Sequence, residues 1–97
     1  MINLNEINFE QNVSEGLVLV DFWAPWCGPC RAQAAILDKL DADKVKVCKV
    51  NTDENPALSQ RFKISSIPTL VVFKDGKESG TGVGLHSLEQ LKALLGI

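Results

Sequence analysis

The sequence predicts an α/β fold with a central mixed sheet of about five strands and helices on both faces. The run 17–23 is almost entirely apolar, which is typical of a strand buried on both faces of a sheet. A helical pattern and a second strand-like run, 45–51, follow at the spacing of a β-α-β unit, in which the two strands are parallel. Asp75-Gly76 then separates two further strand-like runs, as in a two-residue hairpin turn.

The first half of the chain predicts strands and helices in alternation. Ile2–Leu4 can form a short strand, and Asn5 can cap a helix that carries Phe9 and Val13 on one face. After the first buried strand, a helix is predicted over residues 28–42. Its inward-facing stripe is predicted to consist of Ile36, Leu37 and Leu40.

The second half predicts a helix, a two-stranded hairpin and a last helix. Asn55 and Pro56 are typical of a helix start, with asparagine as the cap and proline as the first residue. The hairpin strands are predicted over 69–73 and 77–82, and a capping box at Ser87–Gln90 opens the last helix. The apolar residues assigned to these two helices are Leu58 and Phe62 in the first, and Leu88, Leu91, Leu94 and Leu95 in the second.

The length and composition are those of one domain, residues 1–97. The chain is 45% apolar and 23% charged, with a net charge of −2 and a pI near 5.3. Because it has no basic patch or run of lysine and arginine, we expect no nucleic-acid partner. No apolar run approaches the roughly 20 residues that span a bilayer, so we expect no membrane association.

The N-terminus and the cysteine count both predict a reducing, cytoplasmic location. Residues 1–6 contain no basic side chain and no long apolar block, which argues against a signal peptide. The three cysteines form no disulfide framework, because two lie in one motif and Cys48 stands alone in a predicted strand, where we expect a buried, inert thiol. A C-x-x-C motif in such a chain indicates redox chemistry or metal binding.

The motif Trp26–Cys30 lies where the first buried strand ends and the second helix begins. Cys27 and Cys30 are spaced as neighbours on a helix. The free backbone N–H groups and the dipole of a helix start favour a thiolate at Cys27, and such settings lower a cysteine pKa from about 8.5 to roughly 3.5–7.5. Pro29 suits the first helical turn, and Gly28 leaves room for a second sulfur. The motif therefore predicts thiol–disulfide exchange.

The whole chain resembles the thioredoxin family. The motif follows a strand that contains an aspartate, and an Ile-Pro-Thr sequence comes about forty residues later. The segments that carry the resemblance are Val20–Ala24, Trp26–Cys30, Lys49 with Asn51 and Asp53, Ile67–Thr69, Lys74–Lys77 and Val83–Gly84. The resemblance implies a thioredoxin fold and a protein-disulfide reductase.

The resemblance also implies a role for individual residues. It makes Cys27 the exposed nucleophile, Cys30 the resolving thiol, Asp21 the buried acid behind the disulfide, Lys49 its neighbour, and Pro68 a cis-proline beside the cysteines. For Pro68 to lie there, strand 69–73 must run antiparallel to strand 17–23. The surface implied to hold the target consists of Trp26, Gly28, Pro29, Ile67, Pro68, Val83 and Gly84.

The implied partners are disulfide-containing proteins and a thioredoxin reductase, either a flavoprotein or a ferredoxin-linked enzyme. The protein would carry electrons between them as a monomer, with no cofactor or metal beyond its own redox-active disulfide. Four positions depart from the family pattern: Ala35 replaces a common proline, Arg31 a frequent lysine, and Thr52 and Ser66 replace rim residues that are often isoleucine and glycine.

Alternatives remain for the polar residues of the predicted strands. A carboxylate in an apolar strand is costly unless it is paired or protonated, and burial would raise the pKa of Asp21, so that it could accept the proton of Cys30. Alternatively, the strand twists and Asp21 reaches solvent. Lys49 either pairs with Asp21 across parallel strands or is a surface lysine whose stem packs over the sheet.

Two other classes of function stay open. The cysteines could form half of a zinc site, although only Cys48 and His86 remain as soft ligands, and neither has the spacing of a zinc motif. His86 is otherwise expected to be solvated. The domain could also be a non-catalytic adaptor, which would tolerate Cys27→Ser, whereas a reductase would not.

Overall fold

The computed structural model of the protein describes residues 1–97 and contains five strands and four helices. It confirms the predicted α/β class and the predicted order of elements. The elements are β1 (Ile2–Leu4), α1 (Phe9–Val13), β2 (Leu17–Trp23), α2 (Gly28–Leu37), β3 (Lys46–Asn51), α3 (Pro56–Arg61), β4 (Thr69–Lys74), β5 (Lys77–Val83) and α4 (Leu88–Leu95). No helix is long and apolar enough to cross a membrane.

The five strands form one mixed sheet in the order β1-β3-β2-β4-β5. Strand β2 lies at the centre, parallel to β3 and antiparallel to β4, as predicted for both pairs. Residue Asp21 stands opposite Lys49 on one side and Leu70 on the other, and Phe22 stands opposite Thr69. The antiparallel pairing therefore brings the start of β4 beside the end of β2, where the cysteine motif follows.

Alternating side chains of β2 supply both cores. Val18, Val20 and Phe22 face one side, where they pack with residues of α1 and α3. Leu19 faces the other side, in a cluster that includes Leu37 of α2 and residues of α4. Because every second residue of a strand points to the same face, this nearly continuous apolar run fits a sheet covered on both faces.

Helix α2 ends at Leu37, five residues before the predicted end at 42. After Leu37 the chain tightens into turns whose hydrogen bonds join residues three positions apart. Lys39 N donates to Ile36 O at 3.0 Å, and Leu40 N donates to Leu37 O at 3.1 Å. Leu40 remains buried although it lies outside the helix. The apolar spacing that predicted a longer helix therefore reflects burial in a turn, which periodicity alone does not distinguish from a helix.

Of the three predicted caps, only the capping box that opens α4 is confirmed in full; the N-cap of α1 is Asn8, and Asn5 caps the turn before the helix. The Ser87–Gln90 capping box is present in both directions, and Asn5 Oδ1 accepts hydrogen bonds from the turn that leads into α1, including one from Asn8 N at 2.9 Å. Pro56 begins α3 and Asn55 holds the N-cap position, as predicted, but the capping bond expected of Asn55 is absent. Its side chain caps nothing, because its Nδ2 donates instead to Asn51 O at 3.0 Å and ties the loop to the end of β3.

Candidate active site

The cysteine motif lies at the junction between β2 and α2, as predicted. Cys27 is the N-cap of α2, with extended backbone angles, and Pro29 occupies the first helical turn. Cys27 and Cys30 form a disulfide, with their Cα atoms 5.3 Å apart. This separation lies within the ordinary range for a disulfide, so the pair can close without movement of the helix.

The helix start supplies a hydrogen-bond donor to the first sulfur. The backbone N–H of Cys30 points at Cys27 Sγ, with the nitrogen and sulfur 3.2 Å apart. The carbonyl oxygen of Ile67 lies 3.8 Å from the same sulfur. In the reduced protein, a thiolate at Cys27 would accept from the Cys30 N–H and receive the favourable end of the helix dipole.

The expectation that Cys27 is exposed is wrong, because most of the surface of this residue is covered. Cys27 exposes 5% of its surface and Cys30 exposes 3%. The residues around them, Trp26, Gly28 and Pro29, are the exposed ones. A Cβ atom built on Gly28 would meet nothing within 4 Å, so space for an approaching sulfur lies on that side. Capping the helix draws the Cys27 side chain in toward the Cys30 amide, which explains its low exposure.

The Ile67–Pro68 peptide bond is cis, as the sequence resemblance implied. Pro68 is buried at the entry to β4, where a residue without an N–H is tolerated. Gly84 N donates to Pro68 O at 2.8 Å, so the segment after β5 is bonded to the segment before β4. The predicted surface residues from these two segments therefore lie together beside the cysteines.

Exposed apolar side chains surround the disulfide. Trp26 is 69% exposed and Val83 is 63% exposed. Leu85, in the connection between β5 and α4, is also exposed and was not among the predicted surface residues. The sequence feature that could have predicted it is an apolar residue directly after Val83-Gly84, in a loop before a capped helix. Gly84 has a φ of +88°, which favours glycine at that position.

Trp26 is held in place by an acidic residue. Its indole Nε1 donates to Asp53 Oδ2 at 3.1 Å, across 27 residues of sequence. Thr52, one of the departures from the family pattern, is partly buried and donates from its hydroxyl to Trp23 O at 3.3 Å. Asp53 has no role predicted from sequence beyond its part in the family resemblance, and in the structure it is the partner of the exposed indole.

Asp21 is buried, and the alternative that it reaches solvent is wrong. It exposes 2% of its surface, and its Oδ1 has no hydrogen-bond partner. Burial raises the pKa of Asp21 from 3.8 to about 7, and the positive charge of Lys49 opposes part of that rise. Asp21 lines a cavity of about 120 Å³ together with Cys30, Lys49 and Ala34. The carboxyl group and the second cysteine therefore line the same small cavity.

Lys49 combines features of both predicted alternatives. It stands opposite Asp21 in the β2–β3 register, but the two side chains form no direct ion pair. Its ammonium lies 4.9 Å from the centre of the Trp23 ring, a cation–π arrangement. The single ion pair of the protein, Arg61 with Glu10, lies on the surface away from the cysteines. Lys49 therefore acts on Asp21 through its field rather than by contact.

The other two candidate ligands lie apart from the disulfide. Cys48 is a free, fully buried thiol in β3, as expected, and burial raises its pKa. His86 is half-buried rather than solvated, because its ring bonds to the carbonyl of Gly84 and its backbone bonds to the side chain of Gln33. No group of three or more potential metal ligands is present.

Taken together, a redox-capable dithiol at a helix start, a buried carboxyl group behind it and a cis-proline beside it define a thiol–disulfide oxidoreductase. The thioredoxin family model matches residues 1–96. The chain is 46% identical over 100 residues to a thioredoxin of Pseudomonas aeruginosa, and the match covers 98% of this chain and 93% of that protein. It is 43% identical over 98 residues to a thioredoxin of Bacillus subtilis, covering 98% and 94%.

A third relative, thioredoxin 1 of Synechococcus elongatus, is 52% identical over 86 residues, covering 84% of this chain and 80% of that protein. The chain belongs to the thioredoxin family. It is a dithiol–disulfide oxidoreductase with disulfide reductase activity, and its redox-active pair is Cys27 and Cys30. The family implies a thioredoxin reductase and disulfide-containing substrates as partners, and chemistry that needs no cofactor.

Proposed function

We propose that Cys27 is the nucleophile of this reductase and that Cys30 resolves the intermediate. The observation that carries this order is the hydrogen bond from the Cys30 amide to Cys27 Sγ at 3.2 Å, because it stabilises negative charge on Cys27. The Cys27 thiolate attacks one sulfur of a target disulfide, the target S–S bond breaks, and its second sulfur leaves as a thiolate that takes up a proton. A mixed disulfide now joins Cys27 to the target.

Asp21 is proposed as the base of the second step. As a carboxylate it takes the proton of the Cys30 thiol, directly or through a water molecule in their shared cavity. The Cys30 sulfur then attacks Cys27, the bond to the target breaks, and the leaving target sulfur takes up a proton from Asp21 or water, so that the target departs as a dithiol. Two electrons have moved to the target, and Cys27–Cys30 is the disulfide that remains. Lys49 assists by limiting the rise in the pKa of Asp21, so that the carboxylate is available near neutral pH.

Single-turnover kinetics test this order of events. Mixing the reduced protein with excess protein disulfide should give two phases, a second-order formation of the mixed disulfide and a first-order release. The second phase should slow as pH falls below about 7, because a protonated Asp21 cannot accept the Cys30 proton. A release rate that is constant from pH 5 to pH 8 would exclude Asp21 as the base.

The target-binding surface is proposed to consist of Trp26, Ile67–Pro68 and Val83–Gly84, with Gly28 and Pro29 at its centre. An extended target segment would lie along Ile67 as an added strand, with apolar side chains against Trp26 and Val83. Exposure of Trp26 and Val83 beside the disulfide supports this, because isolated surface apolar residues need no explanation but a cluster around a reactive group does.

Val83→Ser should raise the KM for a protein disulfide about tenfold, since it removes about 1.4 kcal/mol of apolar contact with the target. The rate with a small aromatic disulfide should stay within about twofold, because such a substrate needs little of the surface. Ile7→Ser is the matched control, because Ile7 is also an exposed apolar residue, 92% exposed, but lies before α1 and outside the proposed surface. Its loss should change neither the KM for the protein disulfide nor the rate with the small disulfide. Equal effects of the two substitutions would contradict the proposed surface.

We further infer that residues 1–97 act as one domain and as a monomer in the cytoplasm, reduced by a flavoprotein or a ferredoxin-linked thioredoxin reductase. One sheet with an apolar core on each face supports the single domain. Assays with NADPH and a flavoprotein reductase, and separately with reduced ferredoxin and its linked reductase, would assign the donor. Sedimentation analysis would test the monomer.

A further inference from the structure

We propose that Gln33 and His86 are positioning residues that hold the target-binding segment Val83–Gly84 at a set distance from the redox sulfurs. The proposal rests on the proposed function, since it assumes that this segment contacts the target. Gln33 lies on α2, three residues after Cys30, and His86 lies in the loop between β5 and α4. The two residues therefore link α2, which carries the cysteines, to the loop that follows the target-binding segment.

Both polar atoms of the Gln33 side-chain amide take part in this link. Its side chain is fully buried, with 0% of the residue exposed. Its Nε2 donates to His86 O at 3.1 Å, and its Oε1 accepts from His86 N at 2.7 Å. A buried primary amide is costly without partners, and here both partners come from one residue 53 positions away. An apolar residue at position 33 would fill the space but would leave the loop without this attachment.

The imidazole of His86 continues the link to Gly84. Its Nδ1 lies 2.7 Å from Gly84 O. Since a carbonyl oxygen only accepts hydrogen bonds, Nδ1 carries the proton of this contact. The other edge of the ring packs on β5, where a Cβ atom built on Gly82 would lie 2.6 Å from His86 Nε2. The ring therefore fits only against a glycine at position 82 and is confined between the strand and the loop.

The far side of the segment is bonded to the cis-proline. Gly84 N donates to Pro68 O at 2.8 Å, and the carbonyl of Ile67, one residue earlier, lies 3.8 Å from Cys27 Sγ. The target-binding segment is thus held on one side by β4 and on the other by α2, which also carries the cysteines. Loss of the α2 attachment frees one side of the segment while the disulfide keeps its own geometry.

This arrangement predicts that loss of the link impairs the reduction of protein disulfides but not that of small disulfides. Gln33→Met keeps the length and volume of the side chain but removes both hydrogen bonds. We expect kcat/KM for a protein disulfide to fall about tenfold, mainly through KM, while the rate with a small aromatic disulfide stays within about twofold. Amide hydrogen exchange at Gly84 and His86 should accelerate relative to the core amide of Leu19, because the loop opens locally.

His86 offers a matched pair of variants that tests the ring independently. His86→Ala removes the bond to Gly84 O, whereas His86→Asn keeps a side-chain nitrogen that can donate near the position of Nδ1. We expect His86→Ala to impair the reduction of the protein disulfide but not that of the small disulfide, and His86→Asn to restore at least half of the activity on the protein disulfide. Both variants keep the backbone bonds to Gln33, so they remain informative if Gln33→Met does not fold.

The outcomes separate this proposal from the proposed function. Equal losses on small and protein substrates, or no loss on either, would overturn the positioning role and leave Gln33 as a stabilising core residue only. Equal behaviour of His86→Ala and His86→Asn would overturn the part assigned to the ring. Failure of the proposed function would show differently, as an absence of protein-disulfide reduction by the unmodified protein or an absence of any effect of Val83→Ser.

Discussion

Cys27→Ser is expected to reduce the reductase rate to background, and Cys30→Ser is expected to trap the target. Without the Cys27 sulfur there is no thiolate at the N-cap of α2 to accept from the Cys30 N–H, and Cys30 lies inside the helix without that stabilisation. Without Cys30 the first attack still occurs, but resolution loses an intramolecular nucleophile whose effective concentration can reach roughly 10⁵ M or more. The mixed disulfide should therefore persist for hours rather than fractions of a second.

Mass spectrometry of the Cys30→Ser protein after incubation with a disulfide-bonded substrate measures the trapped adduct directly. Cys48→Ala is the control, because Cys48 is a buried thiol in β3 that forms no disulfide, and its loss should leave turnover unchanged. A separate test in cells asks whether the function of the protein needs disulfide exchange or only the role of an adaptor. Undiminished cellular function of the Cys27→Ser protein would support the adaptor and contradict the reductase.

Asp21→Asn is expected to stabilise the folded protein at pH 8 by about 4 kcal/mol. Folding raises the pKa of this carboxyl from 3.8 to about 7, and each unit corresponds to about 1.36 kcal/mol. The contribution of Asp21 to the stability of the wild-type protein is therefore full below pH 3.8, where the carboxyl is protonated in both states, and it is lost as pH rises from there through about 7. Asparagine has no charge to bury, so the variant should not show this loss.

Urea unfolding of both oxidised proteins at pH 4, 6 and 8 measures the difference, which should grow with pH. Asp43→Asn removes an exposed carboxyl of the turn before β3 and should follow the wild-type profile. The stabilised Asp21→Asn protein should nevertheless release the mixed disulfide about 10²-fold more slowly, the low end of the effect of a general base. A variant that is both more stable and equally fast would show that Asp21 has no part in resolution.

The two effects expected of Asp21→Asn, higher stability and slower release of the mixed disulfide, have one cause: the carboxyl group that is proposed to serve the reaction also destabilises the fold. A leucine at position 21 would suit the α2 side of β2, where Leu19 lies in the core. The carboxyl group instead costs stability at neutral pH, and it faces the same cavity as Cys30. Such a cost is expected if the buried carboxyl group takes part in the reaction as proposed.

Much of this site could be predicted from sequence because its signals are local. The apolar run of β2, the Asp75-Gly76 turn and the Ser87–Gln90 capping box each depend on residues within a few positions of one another. The position of Cys27 at a helix start follows from the same kind of pattern, since the strand, the proline and the helix are adjacent in the chain. The apolar neighbours of Asp21 favoured its burial but left open a twist of the strand toward solvent, and the structure decides for burial.

The remaining features depend on contacts between distant segments. The low exposure of Cys27, the placement of the Lys49 ammonium over Trp23, and the pairing of Gln33 with His86 have no local signal. Each depends on which strands and loops the fold places side by side. Helix α2 also ends early because Leu40 finds its burial in a turn.

The sequence by itself determined the class of fold and the reactive pair, and it placed a carboxyl group in the strand before that pair, because periodicity, turn residues and a short motif are properties of neighbouring residues. Only the tertiary structure decided how covered the sulfurs are, which side chains surround them and what holds the target-binding loop. Those features are distances between residues far apart in the chain, and they exist only once the sheet and its two helical layers have packed.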